Sequence, residues 1–251
     1  MPALSALIFD VDGTLAETEE LHREAFNEAF VAAGLDWHWD KALYGELLEV
    51  SGGKERIAHY QQRAGIAAPL DAARVAALHA DKTRRYTARV QAGNLPMRPG
   101  IRRLLAEAKQ AGLLLAIATT TSRPNVEALL AAAAPLPAFD VIAAGDEVPA
   151  KKPAPDVYLL ALRTLGLPAS ACLAFEDTIN GLVSASGAGL RCVVTVSAYG
   201  GGGPFPGAAS VLTHLGDSGA PAAVLSGPRL PGDVADLAWL SSLAAGGRAA
   251  G

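Results

Sequence analysis

Leu7-Ile8-Phe9-Asp10-Val11-Asp12-Gly13-Thr14-Leu15 decides the fold. The apolar, β-prone run 6–9 ends in two acids flanking one valine, then a glycine, which reads as a buried strand opening into a tight turn. Acids at strand tips of an open parallel sheet lie where such folds bind ligands. Two carboxylates this close repel, so a divalent cation or a shared proton is expected between them. Asp10 is then available as nucleophile and Asp12 as proton donor. The pair alone reads equally well as an ordinary acidic turn.

Outward from this strand, the pattern turns helical. Residues 16–33 carry Leu21, Ala25, Phe26, Ala29 and Phe30 on one face, and Gly34 closes the helix. Helices are expected over 39–48, from the small-residue loop 51–56 to about 64, and over 70–90, the last with Lys82, Arg84, Arg85 and Arg89 near its end. This block has no strand pattern and reads as an inserted all-α unit. After a Pro/Gly-rich linker at 93–100, helices (101–111, 125–134, 157–165, 178–187) alternate with strands (113–118, 140–143, 171–175, 191–196). Such alternation predicts an α/β fold, a doubly wound, mostly parallel sheet with a helical cap inserted. The expected division is a discontinuous core of 1–15 and 93–216, a cap of 16–92, and an Ala/Gly/Pro-rich tail of 217–251. Within the tail, 216–231 reads as irregular and 234–243 as a terminal helix carrying Trp239; before it, 211–212 reads as a short edge strand.

The chain has 251 residues, 51% hydrophobic and 18% charged, enough for a sizeable core and unlike a disordered protein. A formal net charge of −4 without a long basic run argues against nucleic acid or an anionic membrane as partner. The longest apolar run, 111–118, is interrupted by Gly112 and is too short to span a bilayer. Cys172 and Cys192 fit no metal-ligand spacing and read as buried thiols. The sequence pattern carries no signal-peptide signature, so a cytoplasmic protein is the expectation, with a monomer as the default for this architecture.

The strand-tip groups suit phosphate chemistry. Asp10, Asp12 and Asp177 are hard oxygen ligands of the kind Mg²⁺ takes, Asp12 through its backbone carbonyl so that its carboxylate stays free for proton transfer. Thr119 stands before N–H groups near a helix start, a site for phosphate oxygens. Lys152 offsets the charge on Asp10 and on the phosphate, and with Mg²⁺ it lets a carboxylate attack an anionic phosphorus.

Asp10-Val11-Asp12-Gly13-Thr14, the strand ending at Thr119, Lys152-Pro153 and Glu176-Asp177 resemble, in that order, the four motifs of the haloacid-dehalogenase superfamily of phosphotransferases. The resemblance covers about 4–215. It implies Asp10 as nucleophile, Asp12 as general acid/base, Thr119 and Lys152 on the transferring phosphate, and Asp177 with support from Glu176 on Mg²⁺. It also implies that the helical insert is a mobile cap that excludes water. A closer resemblance, to the CbbY-like branch, is carried by 16–19, 51–56, 118–122, 151–153 and 175–181, with Thr178 where that branch more often has Ser. It implies a small-molecule sugar bisphosphate, xylulose 1,5-bisphosphate, an inhibitor of rubisco. The alternatives are a phosphomutase resembling β-phosphoglucomutase and an inactive sugar-phosphate-binding module.

A bisphosphate needs a second anchor away from the reacting one. Lys54 and Arg56, on the loop with Gly53, are the candidates, with Arg84 or Arg85 behind them; each reads alternatively as a solvated charge. Thr120 joins Thr119 on the substrate side. Glu17 is a candidate for sugar hydroxyls or a helix-start acid. His22 reads either as a cleft residue positioning a hydroxyl or as a buried interface histidine. Trp37 and Trp39 read as cap packing, and Ser122 and Arg123 as substrate contacts or a helix start.

Overall fold

The computed structural model describes residues 3–93, 95–200 and 203–246. Strand β1 (Ala6–Phe9) is fully buried and leads through the Asp10–Leu15 turn into the cap. The cap holds α1 (Glu19–Ala32), α2 (Lys41–Leu47), α3 (Gly53–Arg63) and α4 (Ala72–Ala92). The core resumes with α5 (Ile101–Gln110), β2 (Leu114–Ala118), α6 (Arg123–Ala132), β3 (Val141–Ala143), α7 (Asp156–Leu165) and β4 (Cys172–Glu176). It continues with α8 (Ile179–Gly187), β5 (Arg191–Thr195), β6 (Ser210–Leu212), β7 (Val224–Ser226) and α9 (Leu237–Ala244).

The sheet runs β3-β2-β1-β4-β5-β6-β7, parallel except for β7. Strand residues alternate between its two faces. Leu7, Phe9, Leu115, Ile117, Leu173 and Phe175 join one core with Leu104, Leu129 and Leu240. Ala6, Ile8, Ala116, Ala118 and Ala174 join the other with Val157, Tyr158, Leu182 and Ala185. Burial on both faces explains why these strands read as continuous apolar runs. Because β2 and β4 flank β1 on opposite sides, the strand order reverses there, and the crevice lies at its C-terminal end. The cap has its own core, in which Phe26, Phe30, Trp37, Trp39 and Tyr44 pack ring against ring.

Three local expectations are corrected. The first cap helix begins at Glu19, not 16, because the preceding residues form the connection to the core: Ala16 bridges antiparallel to Met97 and Thr18 spends its hydroxyl on Asp12. Strand 211–212 is not at the edge; β6 lies inside, and β7, from the stretch read as irregular, covers it. The stretch read as a tail packs into the domain: Ala235, Trp239, Leu240 and Leu243 are buried in the larger core, and Asp236 caps α9 by accepting from the Trp239 N–H at 2.7 Å. Among the described residues no helix is long and apolar enough to cross a membrane.

Candidate active site

Sheet register assembles the site. Phe9 stands opposite Ile117 on β2 and Phe175 on β4, so the next residue, Asp10, comes level with Ala118 and Glu176. Lys152, on the loop before α7, reads this alignment directly. Its Nζ donates to Asp10 Oδ1 at 2.6 Å, Glu176 Oε1 at 2.6 Å and the Ala118 carbonyl at 2.9 Å. Tyr158, fully buried on α7, donates its hydroxyl to the same Glu176 Oε1 at 2.5 Å. Ser197, just past β5, donates to Asp177 Oδ2 at 2.6 Å. Gly13 is required twice: its φ is +77°, and a Cβ there would lie 2.1 Å from Asp177 Oδ2.

Asp10, Glu176 and Asp177 converge, with one oxygen of each within 4.8 Å of the others. All three are buried. Three carboxylates face one ammonium, so full ionisation leaves a deficit of two positive charges. Burial, reinforced by Glu176 and Asp12 and opposed by Lys152, pushes Asp10 up to about 7. Burial, then repulsion from Asp10 and Glu176, pushes Asp177 well above the ordinary carboxylate range. Burial works against charge on Lys152, but Asp10 and Glu176 outweigh it and hold the ammonium protonated. Glu176 Oε2 is buried with no hydrogen-bond partner. An orphaned buried carboxylate oxygen, an all-oxygen donor set and a missing charge of +2 together fit a hard divalent cation such as Mg²⁺.

Asp12 does not point into this cluster. Its Oδ1 accepts from Thr18 Oγ1 and lies 3.0 Å from His22 Nε2. Against the effect of burial, His22 and these hydrogen bonds hold the carboxyl well below its ordinary range. His22 Nδ1 in turn meets Lys82 Nζ at 2.5 Å, and its ring stacks on Tyr86 at 3.9 Å between centroids. Lys82 is buried and lies over the rings of Phe26 and Tyr86, at 4.8 and 5.2 Å. Burial brings it down to about 7, and burial with the Lys82 charge lowers His22. The cap thus sends a Lys82–His22–Asp12 chain to the catalytic turn. The sequence signal for Lys82 was available: Leu78, Lys82, Tyr86 and Val90 follow one another at four-residue steps on the buried face of α4.

Two cavities meet over these groups. The smaller, about 60 Å³, is lined by Asp10, Asp12, Thr120, Lys152, Glu176 and Asp177. The larger, about 550 Å³, shares Asp12, Glu19, Arg56 and Thr120 with it and carries Lys54, Arg84 and Lys151 on its walls. The cap is seated over both. Asn180 Nδ2 donates to the Glu49 carbonyl at 2.8 Å, Tyr199 donates to Glu20 Oε2, and the Tyr44 and Tyr199 rings meet edge to face at 5.8 Å. A separate 330 Å³ groove on the cap, between α1 and α4, contains none of the site acids.

The remaining sequence candidates divide. Thr120, Gly53, Lys54, Arg56 and His22 line the larger cavity, as do Arg84 and Ser122. Arg56 is buried, however, and its guanidinium is engaged by the carbonyls of Leu47 and Val50 and by Tyr44 Oη, at 3.2 to 3.3 Å. Thr119 lines neither cavity; it is fully buried, and its hydroxyl accepts from the Thr121 N–H at 3.2 Å. Glu17 also lines neither, and pairs with Arg98 at 3.0 Å. Glu19, the first residue of α1, lines both cavities and accepts from Tyr44 Oη at 2.8 Å. Arg85 pairs with Asp81 at 2.7 Å, and Arg123 with Glu147 at 2.6 Å.

Comparison with known proteins gives the family and the fold. A family model described as haloacid dehalogenase-like hydrolase matches residues 4–189. The chain is 58% identical over 205 residues to protein CbbY of Rhodobacter capsulatus, covering 80% of this chain and 89% of the relative. It is 53% identical over 220 residues to CbbY of Cereibacter sphaeroides, covering 86% and 94%. Among solved structures, CbbY from Rhodobacter sphaeroides in complex with phosphate superposes with a TM-score of 0.78 at 52% identity, over 84% of this chain and 94% of that one. A mutant of that CbbY, in complex with xylulose 1,5-bisphosphate, matches with the same figures. A β-phosphoglucomutase from Clostridium difficile, 19% identical with a TM-score of 0.71 over 83% of this chain and 90% of that one, shares the fold.

Proposed function

From the premise that the chain belongs to the haloacid dehalogenase-like hydrolases, as a phosphatase of the CbbY-like kind, we propose that it is a Mg²⁺-dependent sugar-bisphosphate phosphatase acting on xylulose 1,5-bisphosphate. The observation that carries the proposal is the two-part cavity. One end holds an acid cluster with a single ammonium, and the other, reached past Asp12 and Thr120, carries Lys54, Arg84 and Lys151. A substrate with two separated phosphates puts one group at each end. The complex of the Rhodobacter sphaeroides relative with xylulose 1,5-bisphosphate supports that substrate class. Removing this compound would relieve inhibition of rubisco.

In the first step an Asp10 oxygen attacks phosphorus and forms a P–O bond as the ester P–O bond breaks. Asp12, supplied with a proton from Lys82 through His22, gives it to the departing sugar oxygen. In the second step Asp12 takes a proton from water, whose oxygen attacks the aspartyl-phosphate; inorganic phosphate leaves and Asp10 is regenerated. Lys152 stays protonated throughout, neutralising Asp10 and the phosphate. The Lys82–His22 pair fixes the Asp12 carboxylate and links it to a group that exchanges protons near neutral pH. Mg²⁺ held by Asp10, Asp177 and Glu176 would supply the charge that the three acids lack and polarise the phosphoryl oxygens. The seated cap excludes bulk water from the reaction.

The test is a phosphate-release screen with Mg²⁺ across pentulose, pentose and hexose bisphosphates. The proposal expects stoichiometric free phosphate, fastest from xylulose 1,5-bisphosphate. An isomerised monophosphate in place of free phosphate identifies a mutase instead, and inactivity across the whole panel contradicts catalysis.

A further inference from the structure

Tyr158 has no role in the chemistry above, yet its position is specific. It is fully buried on α7, in the alanine-rich core face formed by Ala6, Ala116, Ala118 and Ala174. A phenol hydroxyl in such surroundings needs a partner, and its only one among the described residues is Glu176 Oε1, at 2.5 Å. Lys152 donates to that same oxygen at 2.6 Å, and its Nζ lies 5.2 Å from the Tyr158 ring centroid. Both donors therefore hold one oxygen of Glu176, and Oε2 has no partner. The other side of the carboxylate is shaped by Gly181 on α8. A Cβ at that residue would sit 1.8 Å from Oε2 and 2.1 Å from the carboxyl carbon. Glu176 is thus held by two donors on one oxygen and given room by a missing side chain at the other.

We propose that Tyr158 is a positioning residue for the cation site: with Lys152 it pins Glu176 Oε1, and so presents Oε2 as the oxygen offered to the divalent cation. The inference rests on the cation reading of Asp10, Glu176 and Asp177. Lys152 gives Glu176 only one of its three N–H donors, the others going to Asp10 and the Ala118 carbonyl, so Tyr158 supplies the second hydrogen bond on Oε1. A hydrogen bond from Tyr158 fixes the carboxylate without adding a second positive charge beside the cation. Groups that orient metal ligands in this way commonly change metal affinity by about 10–100-fold when removed.

The test is Tyr158→Phe, which deletes one oxygen and keeps the ring in its packing. Binding is read with Mn²⁺, which takes the same oxygen ligands, by the loss of the free-ion electron paramagnetic resonance signal, independently of turnover. Y158F is expected to weaken Mn²⁺ binding by about tenfold and to recover most of its turnover at saturating Mg²⁺. Thermal unfolding of the two proteins confirms that both are folded at the assay temperature. If wild-type protein takes up no Mn²⁺, the cation reading itself fails. If wild type binds and Y158F binds equally well, the cation reading stands and the role given to Tyr158 is overturned.

Discussion

Replacing Lys82 with Met should stabilise the protein while slowing it. Lys82 is 4% exposed, and burial holds it at about 7 against an ordinary 10.5. An unfolded lysine keeps its proton up to its ordinary value, whereas the folded one gives it up near neutrality. Below pH 7 folding must therefore bury a charge. At about 1.4 kcal/mol per pH unit the gap corresponds to a burden on the order of 3–5 kcal/mol, present below pH 7 and fading as pH rises toward 10.5. Met retains the unbranched stem beside Phe26 and Tyr86. It loses the contact to His22 Nδ1 at 2.5 Å and leaves that nitrogen without this partner, which costs about 1–2 kcal/mol. The net expectation at pH 6–7 is a gain of about 2 kcal/mol, a rise in Tm of roughly 4–8 °C for a chain of this size. Urea unfolding of both proteins at pH 6, 8 and 10 should show the advantage shrinking as pH rises. Turnover should fall, because His22 loses the group that fixes it against Asp12. A K82M protein that is less stable than wild type at pH 6, or whose advantage does not vary with pH, would refute the reasoning.

Two further predictions concern the distal pocket and the core–cap connection. Lys54→Ala with Arg84→Ala should raise KM for sugar bisphosphates by about tenfold, as loss of charge-assisted contacts to one phosphate requires, and leave KM for monophosphates within about twofold; an equal effect on both removes these residues as the distal anchor. Arg98 is buried, pairs with Glu17 and donates to the carbonyls of Gly13, Thr195, Val196 and Thr213. Arg98→Leu should lower stability by about 3–5 kcal/mol in urea unfolding, because carbonyls where the cap joins the core lose their donor; a loss under about 1 kcal/mol contradicts that reading.

The legible parts of this protein were those whose meaning is local. The strand-turn at Asp10, the alternation that builds the sheet and the acids at 176–177 are written in consecutive residues, and sheet register does the rest. Lys152 could be placed because the loop carrying it precedes a clear helix. Tyr158 and Ser197 could not, since each acquires its partner only when separate elements pack together. Lys82 stood in view as a cation on an apolar stripe, but its connection to His22 spans 60 positions. Glu17 reads as a candidate for sugar hydroxyls, but its pairing with Arg98 depends on a partner 81 positions away. At the far end, 216–231 looked irregular because β7 is three residues long, mostly exposed and set among Gly and Pro. Only β6 beside it makes it a strand.

The central claim, that Asp10 carries the phosphoryl group, is tested most directly by rapid acid quench after mixing enzyme and Mg²⁺ with ³²P-labelled sugar bisphosphate. The account predicts label on the protein within a turnover, released by hydroxylamine as an acyl phosphate, mapping to Asp10 and absent from a folded Asp10→Asn variant that does not turn over. Label on another residue, or phosphate release by Asp10→Asn at a rate near that of wild type, would contradict it.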